Sequence, residues 1–542
     1  MNASLRSETL QPRPAALAAE WRNVATHTHF LRSKETDFEG AKQIALAWCR
    51  KHAIAAAGLG SPWEPVSAAR YGRCEREDRD AYYGGRLDPA GLMDREPIAS
   101  LFADLNRRGE GRILFYQDNE NPKGRFGHLW WFGYCYDFPA WHDYSQDRPV
   151  QYTPSHPPKD MNALTGRPHR RRSYLEIVAT QRRAGALGIW AHPTSWWLDG
   201  QGGFVTNIAA EMPLHFWADG RVDGAVVSGY DACHRGYQQT WFRFLDTGGI
   251  VPGFAETDHC FDQKKLLDHA TSLSSMLRVR GALTAEALRD AARTGECCFG
   301  TGGFLHVSAD GTPMGRVQAT AAGTIHRVRV EAYPRPGESC FSRLDLVGKG
   351  GALLARRERF AGGILEYEIP GADAPHYVLV LGFGETEDPE APRQQSIRHL
   401  AISNPVYLHP RGFSLQPMST EVEFRCGAAN PYLGGDLLFQ DAAGAPLEQR
   451  RLAAGSLRVS LPASTRAVVQ KPGLRPLDFH IALENPAVRG LVEFLAQGEF
   501  RSKTPGLSAG EVPAEAFRLS EMRQALERVA IDLDALGRNM HA

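Results

Sequence analysis

Two histidines two positions apart, His27 and His29, stand in Val24-Ala25-Thr26-His27-Thr28-His29-Phe30, and imidazole nitrogen is among the commonest protein ligands for a transition metal. In an extended strand, residues two apart share a face, so both rings can aim at one point. A lone His-x-His is more often incidental, so the weight falls on what further ligands the chain supplies. Polar residues that close apolar runs supply them: Asp118 and Glu120, then His128, then His192 in Ala191-His192-Pro193, then Asp258 and His259 after Phe254-Ala255-Glu256-Thr257. Histidine and carboxylate without thiolate suit zinc, manganese or iron, and a set of this size can hold one or two such ions.

Within that set Glu120 is preferred over Asp118 as the carboxylate ligand, for its position relative to Gly127-His128, and Asp118 is read as orienting a ligand from behind. His259, adjacent to Asp258 and so turned the other way in an extended chain, is read as an acid/base or a weaker ligand. Arg125, between the proposed ligands, would hold an anionic group of the substrate in a two-pronged bond, ahead of Lys123. Each has a plainer reading: Asp258 as a helix cap, His192 as a strand-end histidine bonded to backbone, Arg125 as a solvated loop charge. His52, His142, His156, His169 and His234 are read as structural or surface residues, with His142 placed where it could touch substrate.

The elements that must position these residues follow from periodicity. Glu39 to His52 and Ile98 to Arg107 repeat as helices, and Ala53 to Leu59 and Arg112 to Tyr116 as short buried strands. After a Trp- and Pro-rich stretch from Trp130 to Pro168, read as a loop or lid, the spacing predicts a helix over 173–184, strands over 187–190, 224–228 and 250–255, and helices over 238–247 and 283–294. Alternation of this kind predicts a βα barrel or a doubly wound unit, with chemistry at the strand ends. From 298 to 411, and again from 412 to 505, short alternating strands with turn signals predict two β-sandwich-like domains. A C-terminal amphipathic helix is expected over 513–538, where Leu519, Met522, Leu526, Val529, Leu533 and Leu536 repeat at 3 and 4, the pattern of a self-association seam.

The 542 residues are expected to form several domains, and equal numbers of Lys+Arg and Asp+Glu, 62 each, leave no basic surplus for neutralising nucleic-acid phosphates. No run is apolar enough for a membrane span and the first residues lack a secretory pattern, so a cytoplasmic protein is expected. The nine cysteines include no C-x-x-C pair and are expected as reduced thiols. The tryptophans between Trp130 and Trp241 read as core, or as walls of a pocket for an aromatic or sugar-like group.

Several of these segments together resemble the PHP (polymerase and histidinol phosphatase) metallohydrolases, in the CehA/McbA-like branch. The resemblance runs from Val24 to Tyr407. It rests on His27-x-His29, the acidic residue followed by Gly127-His128, Ala191-His192-Pro193 and Phe254-Ala255-Glu256-Thr257-Asp258, with softer marks at Phe299-Gly300-Thr301-Gly302-Gly303-Phe304-Leu305 and Ile402-Ser403-Asn404-Pro405-Val406-Tyr407. It implies a distorted (β/α)7 barrel over 20–297, and metal ligands His27, His29, Glu120, His128, His192 and Asp258. The family's second-strand Thr-Asp-His is replaced here by Ala56-Ala57-Gly58-Leu59-Gly60-Ser61-Pro62-Trp63, which offers no ligand, so fewer ions than the family's full set are expected.

The function expected is a metal-dependent hydrolase in which a metal-activated hydroxide cleaves a phosphoester, or a carboxylic or carbamate ester, of a small molecule. The alternatives are a non-catalytic metal- or carbohydrate-binding protein and a metal-dependent lyase. Partners expected are a small anionic substrate and, through the C-terminal helix, a second copy of the chain.

Overall fold

The computed structural model describes residues 3–15, 17–30, 36–60, 96–120, 128–133, 185–192, 196–198, 204–206, 223–229, 234–246, 248–268, 272–384, 399–413, 419–440, 445–462, 465–474, 476–481 and 530–533. Strands dominate them. The strand Trp21–His29 lies inside an eleven-stranded sheet, parallel on one side to Ala56–Gly60, which is parallel in turn to Leu114–Gln117. On its other side it runs antiparallel to Ser274–Arg278, and from there the sheet continues through Cys297–Gly300 and His399–Ser403 into the later β-rich part of the chain. A second sheet of five strands has the order Gly253–Ala255, Gly224–Ser228, Leu187–Ala191, His128–Phe132, Asn119–Glu120.

The expected (β/α)7 barrel is therefore corrected. A βα barrel needs every neighbouring strand parallel, each return made by a helix. Here the Trp21–His29 strand has an antiparallel neighbour, and so has Leu187–Ala191, which pairs antiparallel with His128–Phe132. The local alternation that suggested a barrel is nevertheless present: Phe38–Lys51 and Glu96–Arg108 are helices set between parallel strands, and His234–Asp246 connects Gly224–Ser228 to Gly253–Ala255. Asp37 starts the first of these by accepting a hydrogen bond from the Gly40 amide at 2.7 Å.

Three hydrophobic clusters organise the described residues. The first collects Val24, Trp48, Trp130, Trp131, Trp190 and Trp241 beneath the site. The second lies between the sheet of Ile325–Tyr333 and Gly363–Pro370 and the continuing large sheet, and it reaches back to Trp21 and Met276. Adjacent Cys297 and Cys298 point into these two clusters respectively, both fully buried as free thiols. The third cluster holds Val422, Phe424, Phe439 and Leu533.

The expected C-terminal helix is corrected at its described part. Ala530–Asp532 is a strand, parallel to Ser419–Cys426, with Ile531 opposite Phe424 and the following Leu533 buried in the third cluster. At these residues tertiary pairing with Ser419–Cys426 outweighs the heptad spacing. The other residues of that segment, and the expected helix over 173–184, lie outside the described residues. Among the described residues no helix is long and apolar enough to cross a membrane.

Candidate metal centre

The end of the Trp21–His29 strand is held against the segment that follows Gly253–Ala255. The Thr26 hydroxyl donates to the Ala255 carbonyl at 2.5 Å, and the Thr257 amide and hydroxyl both donate to the Thr26 carbonyl, at 3.1 and 2.7 Å. Two residues on, the His29 amide donates to the His259 carbonyl at 2.6 Å and the Phe261 amide to the His29 carbonyl at 2.8 Å. On the opposite side the Thr28 hydroxyl donates to the Gly58 carbonyl at 2.5 Å. Thr26 and Thr28 thus spend their hydroxyls on neighbouring backbone, which explains how two polar residues sit fully buried in alternation with two buried histidines.

Two groups of side chains converge there. His27, His29 and Asp258 bring ligand atoms within 4.8 Å of one another, and so do His27, His192 and Glu256. His27 belongs to both. Its Nδ1 lies 2.9 Å from Glu256 Oε2 and its Nε2 3.7 Å from Asp258 Oδ1, while His29 Nε2 lies 3.1 Å from the same Asp258 oxygen. The His27 ring is stacked on Trp130 at 6.0 Å and 10°, and its centroid is 5.3 Å from that of His192. All are buried apart from Asp258, whose side chain is 16% exposed and forms the edge of the cluster nearest solvent.

The backbone is unusual at this point. His27, His192 and Asp258 have φ of 55°, 27° and 41°, left-handed values that cost a non-glycine residue of order 1 to 3 kcal/mol each. The pairing of Trp21–His29 with Ala56–Gly60 slips in register between Ala25 and Thr28, so His27 and His29 converge through a local irregularity rather than through plain strand alternation.

Burial raises the Glu256 carboxyl, against the opposing pull of His192 and of His27. Its Oε1 is buried with no hydrogen-bond partner, and a Cβ at Gly229 would stand 2.7 Å from that atom, so position 229 has to be bare for Glu256 to fit. A partnerless buried carboxylate oxygen grouped with two imidazoles, with nitrogen and oxygen as the only donors, fits a divalent transition cation. Asp118 lies deeper and belongs to neither group. Its Oδ1 accepts from the Gly133 amide at 3.1 Å, and burial pushes its carboxyl well above the usual carboxylate range.

Of the residues singled out in the sequence, His27, His29, His192 and Asp258 are brought together. His259 belongs to neither group; its ring packs edge-on against Trp48 at 6.5 Å. Glu120 and His128 are described through their backbone alone, Glu120 opposite Trp130 and His128 opposite Ala191, the residue before His192. Arg125, Lys123 and His142 lie outside the described residues. Glu256 was missed as a ligand; the available signal was its place as the first polar residue after an apolar strand.

No family model matches this chain, and no curated protein matches it. Among solved structures the chain is similar, over 34% of its length and 67% of the other chain, to BcpA, the major pilin subunit of Bacillus cereus, at 9% identity and a TM-score of 0.13. It is similar to the BSP domain of a biofilm-associated protein over 32% of its length and 29% of that chain, at 9% identity and a TM-score of 0.12. Likeness at these scores carries no argument about what this chain does.

Proposed function

We propose that the protein is a metal-dependent hydrolase of a small phosphoester, carboxylic ester or carbamate, with His27, His29, His192, Glu256 and Asp258 holding a divalent zinc, manganese or iron ion. The observation that carries this reading is the convergence of two buried ligand groups on one imidazole, His27, with a partnerless carboxylate oxygen among them. The resemblance of His27-x-His29, Ala191-His192-Pro193 and the Asp258 segment to PHP metallohydrolases supports the same chemistry.

When bound, such a cation lowers the pKa of a coordinated water and polarises a phosphoryl or carbonyl oxygen. The chain's own contribution is positioning. His27 Nδ1 lies 2.9 Å from Glu256 Oε2 and its Nε2 3.7 Å from Asp258 Oδ1, so the ring spans the two ligand groups and presents one nitrogen to each. Trp130 covers one face of the His27 ring and shields it from water. Three histidines and two carboxylates balance the charge of one divalent ion, which suits a site this deeply buried.

The test is elemental analysis of the purified protein together with turnover on a panel of phosphoesters, aryl esters and carbamates with added manganese or zinc. One stoichiometric ion, lost in His27→Ala and Asp258→Ala together with turnover, is the expected result. Absence of any bound or acquired ion, or unchanged turnover in both variants, overturns the reading.

A further inference from the structure

Gly253–Ala255, the strand that leads into Glu256 and Asp258, ends its five-stranded sheet and pairs on one side with Gly224–Ser228. On its other side it pairs with no strand among the described residues, yet its backbone groups there are satisfied by side chains. The Thr26 hydroxyl donates to the Ala255 carbonyl at 2.5 Å, and the Ser275 hydroxyl accepts from the Ala255 amide at 3.1 Å. Gly253 is held by a single carboxamide: its amide donates to Asn404 Oδ1 at 2.6 Å, and Asn404 Nδ2 donates to its carbonyl at 3.2 Å. An asparagine side chain thus stands in for a neighbouring strand, because it returns both bonds of one residue. Asn404 follows the strand His399–Ser403 of the later β-rich part, and it is itself anchored. Its amide donates to the Cys297 carbonyl at 3.2 Å and its Nδ2 lies 2.9 Å from Cys297 Sγ. Thr26, Ser275 and Asn404 are all buried, so a bond lost at this seam strands a backbone group away from water.

We propose that Asn404 is a positioning residue of the metal site, whose carboxamide locks the register of Gly253–Ala255 against the large sheet and so sets where Glu256 and Asp258 stand relative to His27. The proposal rests on the metal-site reading for its consequence. Register matters because a strand that slides by one residue turns every side chain to the other face, which would take Glu256 Oε2 away from His27 Nδ1, now 2.9 Å distant. Thr26 and Ser275 each supply one bond to Ala255, whereas Asn404 grips the donor and the acceptor of the same residue. Asn404 acts through the strand and not as a ligand. Loss of a group that orients ligands typically weakens metal binding by about 10- to 100-fold, and a group acting through the strand belongs at the lower end.

The experiment uses the full chain as Asn404→Ala and Ser275→Ala, with His326→Ala, a buried change in the strand Ile325–Tyr333, as the control for lost stability alone. Zinc affinity is measured by competition with a chromophoric chelator, and hydrogen exchange of the segment 250–259 is followed by mass spectrometry in the metal-free proteins. Asn404→Ala is expected to bind zinc about tenfold more weakly and to exchange faster over 250–259. Ser275→Ala, which removes one bond of the same seam, is expected to lose about threefold. His326→Ala is expected to keep the parent's affinity and its exchange over 250–259. Unchanged zinc affinity or unchanged exchange in Asn404→Ala overturns the proposal. So does an equal loss of affinity in His326→Ala, which would make the effect one of general destabilisation. Should Asn404→Ala fail to fold, Ser275→Ala carries the same test, and parent-like affinity or exchange in it overturns the proposal. A parent protein that takes up no zinc overturns the metal reading alone; exchange over 250–259 in Asn404→Ala then decides whether Asn404 holds the strand.

Discussion

Two buried histidines in this molecule each face a carboxylate, and the difference between them separates the proposed metal site from a structural one. His326, in the strand Ile325–Tyr333, has Nδ1 2.7 Å from Asp310 Oδ2 and Nε2 2.8 Å from the Thr320 hydroxyl, so both ring nitrogens are satisfied by the protein. Gly371 closes the site off, since a Cβ there would stand 2.6 Å from the Thr320 hydroxyl. His27 also bonds a carboxylate, but that carboxylate, Glu256, keeps a buried oxygen with no partner, and two more imidazoles and a second carboxylate stand around it. A saturated network stabilises a fold; an unsaturated one in a buried pocket is costly unless something else completes it.

The comparison breaks most readily at the metal. Glu256→Ala removes a proposed ligand, and its zinc affinity is expected to fall by more than the roughly 100-fold that loss of an outer partner causes. His326→Ala is expected to leave zinc affinity unchanged. The same chelator competition measures both, and equal losses would abolish the distinction.

Stability should respond in the reverse order. His326→Ala strands the Thr320 hydroxyl in the interior and removes two hydrogen bonds, which is expected to cost about 2 to 4 kcal/mol in chemical denaturation. Gly229→Ala would test the other side, since a methyl there collides with Glu256 Oε1 and the Tyr237 ring; it should lower zinc affinity more than it lowers stability.

The region of His326 also carries a pH dependence. Burial holds His376 below the ordinary histidine value, with the His326 charge adding to it against the Ala374 carbonyl; burial and His376 do the same to His409. Both favour the neutral form when folded, so below about pH 6.5 the unfolded chain binds more protons and stability falls as pH drops. Melting temperature measured from pH 8 to 5.5 should decline, and the double variant His376→Gln, His409→Gln should flatten the decline.

The smallest expected effect lies far from both sites. Asp104 is pushed down to about 2, first by its hydrogen bond from Lys42 at 2.6 Å and then, against burial, by Arg108 and Arg107. Its contribution is complete above the unfolded value of 3.8 and is lost as pH falls towards 2. Asp104→Asn should cost under about 1 kcal/mol at pH 7 and soften the acid limb of the stability curve between those values.

Much of this was legible in the chain. The helix expected over 39–52 is observed as Phe38–Lys51 and the strand expected over 224–228 as Gly224–Ser228, because their apolar spacing and flanking turn residues agree with their surroundings. The antiparallel neighbours that rule out a barrel were not legible, because a buried strand reads alike whether its neighbour runs parallel or antiparallel. Leu187–Ala191 has one neighbour of each kind. The strand at Ala530–Asp532 was hidden by a spacing of leucines that fits a helix, and its pairing with a segment about a hundred residues earlier leaves no local mark.

The sequence by itself determined the identities and order of four of the proposed ligands, since His27, His29, His192 and Asp258 all close apolar runs and such runs become buried strands that end near one another. Tertiary structure alone decided which of them meet. Glu256 joins and His259 turns to Trp48 because the segment after Gly253–Ala255 is bonded residue by residue to Thr26 and His29, with Asp258 in a left-handed turn between them. Gly58 gains its meaning only when Asp118 arrives above it, and that is a matter of packed volume, which no spacing of residue types records.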